Sequence, residues 1–227
     1  MKVTLSLENT ISDDVSIMVD VLRASTTITA GLNNFEKIIP CFSPEEAFKL
    51  KQIHNGVIAG ERGGARIEGF EMGNSPEQVE KFESDKKTLI LTTSNGTRIL
   101  ENMKSKVLIG CMINAKAVAL KSLKLATSHI DIVMAGVKGE FAIEDFLAAG
   151  EILFWISQNC QCELSEFAQS AVLASRNYDM LKKAILNSSS GKRLIKLNYE
   201  DDIQYCMQKN TSENVAIYID NELSLYI

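Results

Sequence analysis

The chain has 227 residues, a net charge of −5 and 45% hydrophobic residues. A chain of this length buries roughly 70% of its extended surface, so it can support a hydrophobic core unaided. The negative charge argues against nucleic acid as a partner, because contacts with a phosphate backbone require a positive face. No apolar run approaches the ~20 residues that span a bilayer, and the polar first eight residues favour a strand over a signal peptide. We therefore expect a cytoplasmic protein without membrane contact.

The first two thirds of the chain alternate short β-branched runs with helical patterns. Buried strands are predicted at residues 15–21, 37–42, 56–61, 88–93, 107–111 and 130–135. Helices are predicted after Ser43 and Ser75, each of which precedes a proline, and at residues 115–123 with Asn114 as the cap. This alternation predicts a three-layer α/β/α fold with a largely parallel or mixed sheet.

The last third is predicted to be helical and to end in a β-hairpin. We expect a long helix at residues 142–159, two helices within 164–187, a loop at 188–191, and a hairpin at 215–227 that turns at Asp220 and Asn221. The chain is expected to form a single domain over residues 1–227. Two intimate subdomains are the alternative, a sheet core at 1–160 and a helical segment with the hairpin at 161–227.

The cysteine pattern favours free thiols. Their number is odd and their spacing is not that of a disulfide framework, so we expect free buried thiols at Cys41, Cys111, Cys160, Cys162 and Cys206. Cys160 and Cys162 form at most half of a metal site, because no second pair accompanies them.

Four predicted strand ends are followed by polar loops, the first of them around Asp20. Arg23, Ser25 and Thr26 come next, at a predicted helix start. Ligands of parallel α/β sheets bind at the carboxyl ends of strands. A carboxylate there suits a metal ion, and a guanidinium group at a helix start suits an anion. The alternative is a local Asp20–Arg23 ion pair that closes the turn, with the hydroxyl groups capping the helix.

The second loop begins with Glu61 and Arg62 and continues through a glycine-rich stretch to Asn74 and Ser75. A connection of this length and composition is typical of functional loops, although a solvated, mobile loop is the alternative. The third loop contains Ser94, Asn95, Gly96, Thr97 and Arg98. Hydroxyl and backbone N–H groups before a helix favour a phosphate site, but Asn-Gly is also a common turn.

The fourth loop carries Glu140, Glu144 and Asp145 around a helix start. Glu144 and Asp145 can serve simply as first-turn charges that interact with the helix dipole. That role does not account for Glu140, which lies four residues before Glu144. Paired carboxylates also suit Mg²⁺. Together the four loops predict one site for a small, highly anionic substrate and a divalent cation.

Several phosphatase chemistries are excluded by missing motifs. The sequence has no Asp-x-Asp motif and no cysteine followed six residues later by arginine. Its two histidines, His54 and His129, are too few and too poorly placed for a histidine-rich bimetal site or a phosphohistidine mechanism. The groups that remain for phosphatase chemistry are carboxylates, hydroxyls and arginines, and we expect them to act with Mg²⁺.

The loops, taken together and in order, resemble the 2-phosphosulfolactate phosphatase family of coenzyme M biosynthesis. The matching segments are residues 19–28, 60–64, 67–70, 73–76, 92–98, 135–150 and 201–206. The resemblance implies an α/β fold, a homodimer, and Mg²⁺-dependent hydrolysis of (2R)-O-phospho-3-sulfolactate to (2R)-3-sulfolactate and phosphate. That substrate carries about four negative charges near neutral pH.

The loop residues can be given roles in this reaction. Asp20 is expected to bind the metal or to attack phosphorus, and the further carboxylates for metal or water are Glu61, Glu140 and Asp145. The expected metal ligands are Asp20, Glu61 and Asp145. The expected anion clamps are Arg23, Arg62 and Arg98, helped by Thr26, Asn74, Ser75, Ser94, Asn95, Gly96 and Thr97.

Two alternatives are a phosphatase of the same scaffold for another phosphorylated hydroxy acid, and a non-catalytic binder of such anions. The sequence leaves open whether a phospho-aspartyl intermediate forms or metal-activated water attacks directly.

Overall fold

The fold is that of a computed structural model, which describes residues 1–93, 99–100 and 103–227. The described strands are β1 Lys2–Leu7, β2 Val15–Val19, β3 Lys37–Cys41, β4 Val57–Arg62, β5 Ala65–Arg66, β6 Thr88–Thr92, β7 Lys106–Gly110, β8 His129–Met134, β9 Glu163–Leu164, β10 Ala216–Ile219 and β11 Glu222–Leu225. The described helices are α1 Ala24–Gly31, α2 Pro44–His54, α3 Pro76–Glu80, α4 Ala115–Leu125, α5 Ile143–Asn159, α6 Glu166–Ser175, α7 Tyr178–Asn187, α8 Ser189–Lys196 and α9 Glu200–Cys206.

The strands form one mixed sheet in the order β5-β4-β6-β3-β11-β10-β7-β2-β8-β1-β9. On one side of the sheet β7, β2, β8, β1 and β9 are parallel to one another, and on the other side β3, β6 and β4 are parallel. The C-terminal hairpin of β10 and β11 joins the two groups through antiparallel pairs. Chain-end residues therefore complete the middle of the sheet.

The twist of the sheet brings the two groups of strands together at one site. The three antiparallel pairings around the hairpin make the groups run in opposite senses along the sheet. Six steps separate β4 from β2, and a twist of roughly 20–25° per step rotates one against the other by roughly 120–150°. This rotation offsets much of the reversal. As a result, Arg23 after β2 donates to the carbonyl of Gly64 after β4, at 2.6 Å.

Helix α1 lies between the sheet and α3. All eight of its residues are buried, and Ile28 belongs to one apolar cluster with Met18 of β2 and Leu89 of β6. The inner faces of both strand groups thus meet around α1. Alternate strand residues point to the opposite face of the sheet. On that face Ile17 of β2 belongs to the apolar cluster that includes α5, and Ile90 of β6 belongs to the cluster that includes α2.

The expected α/β class, mixed sheet, helical C-terminal part and final hairpin are confirmed. The predicted helix starts at Ser43 and Ser75 are confirmed too, since their hydroxyl oxygens accept from the N–H groups of Glu46 and Gln78. Asn114 does precede α4, but its amide oxygen accepts from the N–H of Cys111 instead of capping the helix.

The predicted loop at residues 188–191 is wrong, because α8 begins at Ser189. The hydroxyl oxygen of Ser188 caps this helix by accepting from the N–H of Gly191. Gly191 allows close packing, since a Cβ there would lie 2.2 Å from the carbonyl oxygen of Ile185. The five cysteines are free, as expected, although Cys160 and Cys162 are only partly buried. Among the described helices, none is long and apolar enough to cross a membrane.

We predict that Ile28→Ala destabilises the protein by about 2–5 kcal/mol, because it leaves a cavity in the cluster between the two strand groups. Ile28 is 2% exposed, whereas Ile53 on α2 is 72% exposed, so Ile53→Ala is the matched control. The control should change the free energy of unfolding by less than about 0.5 kcal/mol. Urea unfolding of both variants measures the difference, and equal losses would contradict the enclosed position of α1.

Candidate active site

A pocket lies where the chain leaves β2, β4, β6 and β8, and α8 forms its opposite wall. It collects the predicted site residues Asp20, Arg23, Glu61 and Asn74 from two separate loops. Its lining residues are Asp20, Leu22, Arg23, Glu61, Gly64, Asn74, Thr93, Val137, Ser190, Arg193 and Leu194. The convergence follows from the sheet twist, which gathers the ends of strands that are distant within the sheet.

Arg23 is the buried cation of this pocket. The peptide bond that precedes it is cis. Its Nη1 lies 2.6 Å from Oδ2 of Asp202 on α9, its Nη2 donates to the carbonyl of Gly64 at 2.6 Å, and its guanidinium lies 4.5 Å from the ring centroid of Tyr199. The ion pair of Arg23 is therefore with Asp202, not the local pair with Asp20 that the sequence left open. These contacts use two of the five N–H groups of the guanidinium.

Asp202 and Ser75 fix Arg23 from behind. The Ser75 hydroxyl donates to Oδ1 of Asp202 at 2.6 Å and also caps α3. Burial raises the pKa of Asp202, while its bonds with Ser75 and Arg23 act in the opposite direction. Ser75 thus serves the ion pair and is not among the lining residues of the pocket.

A second buried carboxylate, Asp145 near the start of α5, joins two of the loops. Its Oδ1 accepts from the N–H of Val21 at 2.8 Å, and its Oδ2 accepts from the N–H of Gly136 at 3.0 Å. Burial, followed by the charges of Asp20 and Glu144, raises the pKa of Asp145 well above its usual range. Asp145 is therefore more than a first-turn charge, because it fixes the ends of β2 and β8 while its ionised form is disfavoured.

Glu61 and Arg62 lie on opposite faces of β4. Glu61 has the parity of the inward residues of this strand, lines the pocket, and accepts from the N–H of Gly64 at 2.6 Å. Arg62 has the opposite parity, is exposed, and donates to the carbonyl of Phe42 at 2.6 Å and to the Thr92 hydroxyl at 3.0 Å. Arg62 is thus not among the lining residues.

Three other predicted residues have different positions. Asn74 lines the pocket, and its buried Oδ1 has no hydrogen-bond partner among the described residues. Thr26 lies within α1 and donates to the carbonyl of Val21 at 3.0 Å. Glu140 is exposed in the turn after β8 and lines a neighbouring pocket. The predicted binding residues Ser94, Asn95, Gly96, Thr97 and Arg98 lie outside the described residues.

Sequence reasoning missed the part of the site that comes from the last third of the chain. Ser190 and Arg193 of α8 line the pocket, and Asp202 of α9 holds Arg23. Asp202 lies within the segment 201–206 that carried the family resemblance, so that signal was present. Arg193 had no comparable signal, because its helix begins within a serine-rich stretch that favours a loop.

The carboxylates of the site fit a magnesium ion bound mainly by water and substrate. Within the described residues, no group of three or more His, Cys, Asp and Glu side chains is arranged to hold a metal. Mg²⁺ does not need such a group, since one or two carboxylates plus water and phosphate oxygens suffice. Asp20 and Asp145 fit this pattern as two buried carboxylates, and burial followed by the charges of Asp20 and Glu144 raises the pKa of Asp145. Asp145 lies behind the lining residues, and the Oδ1 of Asn74, which has no partner among the described residues, is a further acceptor beside Asp20 in the pocket.

The raised pKa of Asp145 gives a test of the acidic cluster. The folded state holds this proton more tightly than the unfolded state, whose Asp pKa is about 3.9. Wild-type stability should therefore fall as pH rises from about 4 through the folded-state pKa. Asp145→Asn removes this titration. In EDTA, the free energy of unfolding of Asp145→Asn minus that of the wild type should therefore increase as the pH rises above about 4.

Urea unfolding between pH 4 and pH 8 measures this trend. Asp179→Asn, at an exposed first-turn carboxylate of α7, is the control and should show little change with pH. A difference between Asp145→Asn and wild type that stays constant over this range would show that Asp145 ionises normally.

Comparison with known proteins agrees with this arrangement. A sequence model of the family described as 2-phosphosulpholactate phosphatase matches residues 2–221. The chain is 44% identical over 225 residues to the 2-phosphosulfolactate phosphatase of Methanothermobacter thermautotrophicus, covering 99% of this chain and 96% of the relative. It is 36% identical over 210 residues to a probable 2-phosphosulfolactate phosphatase of Clostridium kluyveri, covering 90% and 87% of the two chains. For a protein of the same description from Carboxydothermus hydrogenoformans, identity is 37% over 204 residues, with 87% and 83% covered. The resemblance of the loops is thereby confirmed, and the chain belongs to the 2-phosphosulpholactate phosphatase family.

Proposed function

We propose that the protein is a Mg²⁺-dependent phosphatase that hydrolyses (2R)-O-phospho-3-sulfolactate to (2R)-3-sulfolactate and phosphate in coenzyme M biosynthesis. The observation that carries the proposal is the joining, in one pocket, of Asp20 and Glu61 with Arg23 and Arg193. A phosphate monoester that also bears a sulfonate and a carboxylate needs several cationic contacts. Family membership supports this substrate over other phosphorylated hydroxy acids.

Asp20 and Asp145 would hold the metal ion. When bound, Mg²⁺ would withdraw charge from the phosphoryl oxygens and neutralise part of the substrate. The two carboxylates suit this role because they are buried and their charges oppose one another. Asp145 is also fixed by two backbone N–H groups, which keep its oxygens in place before any ligand arrives.

Arg23 would contact the phosphoryl group. Its guanidinium is preorganised by Asp202 and the Gly64 carbonyl, so little reorganisation is needed when charge develops in the transition state. Its remaining N–H groups can engage phosphate oxygens in the bidentate geometry that a lysine lacks. Arg23 also precedes the first residue of α1, where the helix dipole favours an anion.

Two carboxylates at the strand ends can promote attack on phosphorus. Glu61 accepts from the N–H of Gly64 and lines the pocket, where a carboxylate can accept a proton from an attacking water. Asp20 can instead attack phosphorus itself and form a phospho-aspartyl intermediate. Acid quenching of the reaction with ³²P-labelled substrate separates the routes. A protein-bound label that hydroxylamine releases indicates the covalent route.

We predict that EDTA abolishes phosphate release from phosphosulfolactate and that Mg²⁺ restores it. Mg²⁺ alone should also raise the Tm of the wild type, because it offsets the repulsion between Asp20 and Asp145. Asp20→Asn and Asp145→Asn should lose both the activity and this rise in Tm, whereas Asp179→Asn should keep both. Full activity in metal-free buffer would refute the Mg²⁺ assignment. A phosphate-release screen across phosphorylated hydroxy acids tests the choice of substrate.

We predict that Arg23→Lys lowers kcat on the order of a hundredfold, corresponding to about 3 kcal/mol, and raises KM much less. Lysine keeps the charge opposite Asp202 but loses the second N–H group that can bind a phosphoryl oxygen. Arg66→Lys, at an exposed arginine of β5 that is not among the lining residues of the pocket, is the control and should leave kcat within about twofold. An unchanged kcat in Arg23→Lys would place the phosphoryl contact elsewhere.

A further inference from the structure

We propose that Arg193 and Ser190 on α8 bind an acid group of the substrate that is not transferred, and that Arg193 thereby selects substrates with more than one anionic group. This inference rests on the proposed function and deepens it. The group bound is the sulfonate or the carboxylate, both of which present several acceptor oxygens to a guanidinium.

The face of α8 that carries these residues is fixed against the pocket. Arg193 and Leu194 lie three and four residues after Ser190, so all three share one side of the helix. All three line the pocket. Leu194 is buried in the large apolar cluster, which anchors the helix. The stem of Arg193 passes beside Gly64, since its Cδ lies 3.7 Å from the position that a Cβ of Gly64 would take.

The side-chain donors of Ser190 and Arg193 are not used by the described residues. The guanidinium of Arg193 makes no ion pair or hydrogen bond with the described residues, and neither does the hydroxyl of Ser190. Ser190 is 7% exposed and Arg193 is partly buried, so both are shielded from bulk water. A partly buried cation without a partner is strengthened as an anion ligand by the reduced dielectric around it.

The two arginines of the pocket therefore have different charge environments. The charge of Arg23 is compensated by Asp202 at 2.6 Å, whereas that of Arg193 has no carboxylate partner among the described residues. They also lie near Gly64 differently, since Nη2 of Arg23 donates to its carbonyl, whereas Cδ of Arg193 lies 3.7 Å from the position that a Cβ of Gly64 would take. A substrate between them can place its phosphoryl group at Arg23 and a second acid group at Arg193.

Glycine at position 64 permits this contact. Its φ is +93°, outside the small left-handed region that L-residues tolerate near +50 to +70°, and an added Cβ would lie 3.0 Å from Cδ1 of Leu197. A side chain here would have a strained backbone and would require the side chain of Leu197, at the end of α8, to shift. The glycine-rich loop after β4 thus seats the helix as well as forming a turn.

The test compares Arg193→Gln with wild type on three phosphate esters. Phosphosulfolactate has both extra acid groups, phospholactate lacks the sulfonate, and O-phosphoisethionate lacks the carboxylate. On phosphosulfolactate, Arg193→Gln should raise KM by about 10- to 100-fold, the range for losing a bond to a charged group, with kcat changed less than about threefold. The increase should vanish on the one ester that lacks the contacted group. An equal increase on all three esters would overturn the proposal, because Arg193 would then act on the phosphoryl group or on the fold.

Two control variants separate charge from geometry. Lys192→Gln removes the same charge from an exposed neighbour on α8 and should leave KM within about twofold. Arg193→Lys should restore part of the affinity, because it returns the charge without the bidentate fork. Unchanged Tm values for the Arg193 variants are expected, since this side chain has no hydrogen bond or ion pair with the described residues.

A binding measurement distinguishes failure of this inference from failure of the proposed function. The absence of phosphate release from phosphosulfolactate by the wild type would refute the function alone. Calorimetry with 3-sulfolactate, which has no phosphoryl group, still tests the wall of α8. Wild type should bind 3-sulfolactate at least tenfold more tightly than Arg193→Gln does. Equal binding, or no binding by the wild type, would overturn the role of Arg193.

Discussion

The enclosure of α1 on every side is the constraint on which the rest of the structure depends. Its sequence is rich in serine and threonine, which are poor helix formers, so propensity alone does not explain the helix. The hydroxyls of Ser25, Thr26 and Thr29 donate to backbone carbonyls of the same segment, which makes their burial tolerable. The small size of these side chains lets the sheet and α3 pack closely against the helix. The start of α1 is consequently held in one place, with Asp20 and Arg23 beside it.

The buried ion pair of Arg23 with Asp202 links that fixed point to the C-terminal helices. The desolvation free energy of burying both charges offsets much of their mutual attraction, so the ion pair contributes more to the geometry of the site than to stability. Its value is positional, because α9 brings Asp202 to a guanidinium 179 residues away and Ser75 orients the carboxylate between them. Loops after β2 and β4, the start of α3, and α9 are thus joined through one side chain. The last third of the chain is part of the site and not only a cover for the sheet.

The sequence predicted the local features well and the long-range ones poorly. Strand runs and serine caps are local signals, and they located most helices and strands to within a few residues. The insertion of the hairpin between β3 and β7 depends on pairings across most of the chain, which no local pattern encodes. Arg193 was missed for the same reason, because only the packing of α8 against Gly64 brings it to the pocket. The opposite faces of Glu61 and Arg62 were foreseeable, since neighbouring strand residues alternate.

The charges of the pocket imply that metal and substrate binding support one another in the proposed reaction. A substrate with about four negative charges meets Asp20 and Glu61 on the strand side, with Asp145 behind them. Without a cation, these carboxylates would oppose the substrate, and burial followed by the charges of Asp20 and Glu144 raises the pKa of Asp145. Without the substrate, Mg²⁺ has few protein ligands, because the described acidic residues do not form a complete cage. Phosphate oxygens would supply ligands that the described residues lack, and the metal would supply charge that Arg23, already paired with Asp202, provides only in part. In the proposed reaction each ligand would therefore raise the affinity for the other, a reciprocity that linkage requires of any such pair.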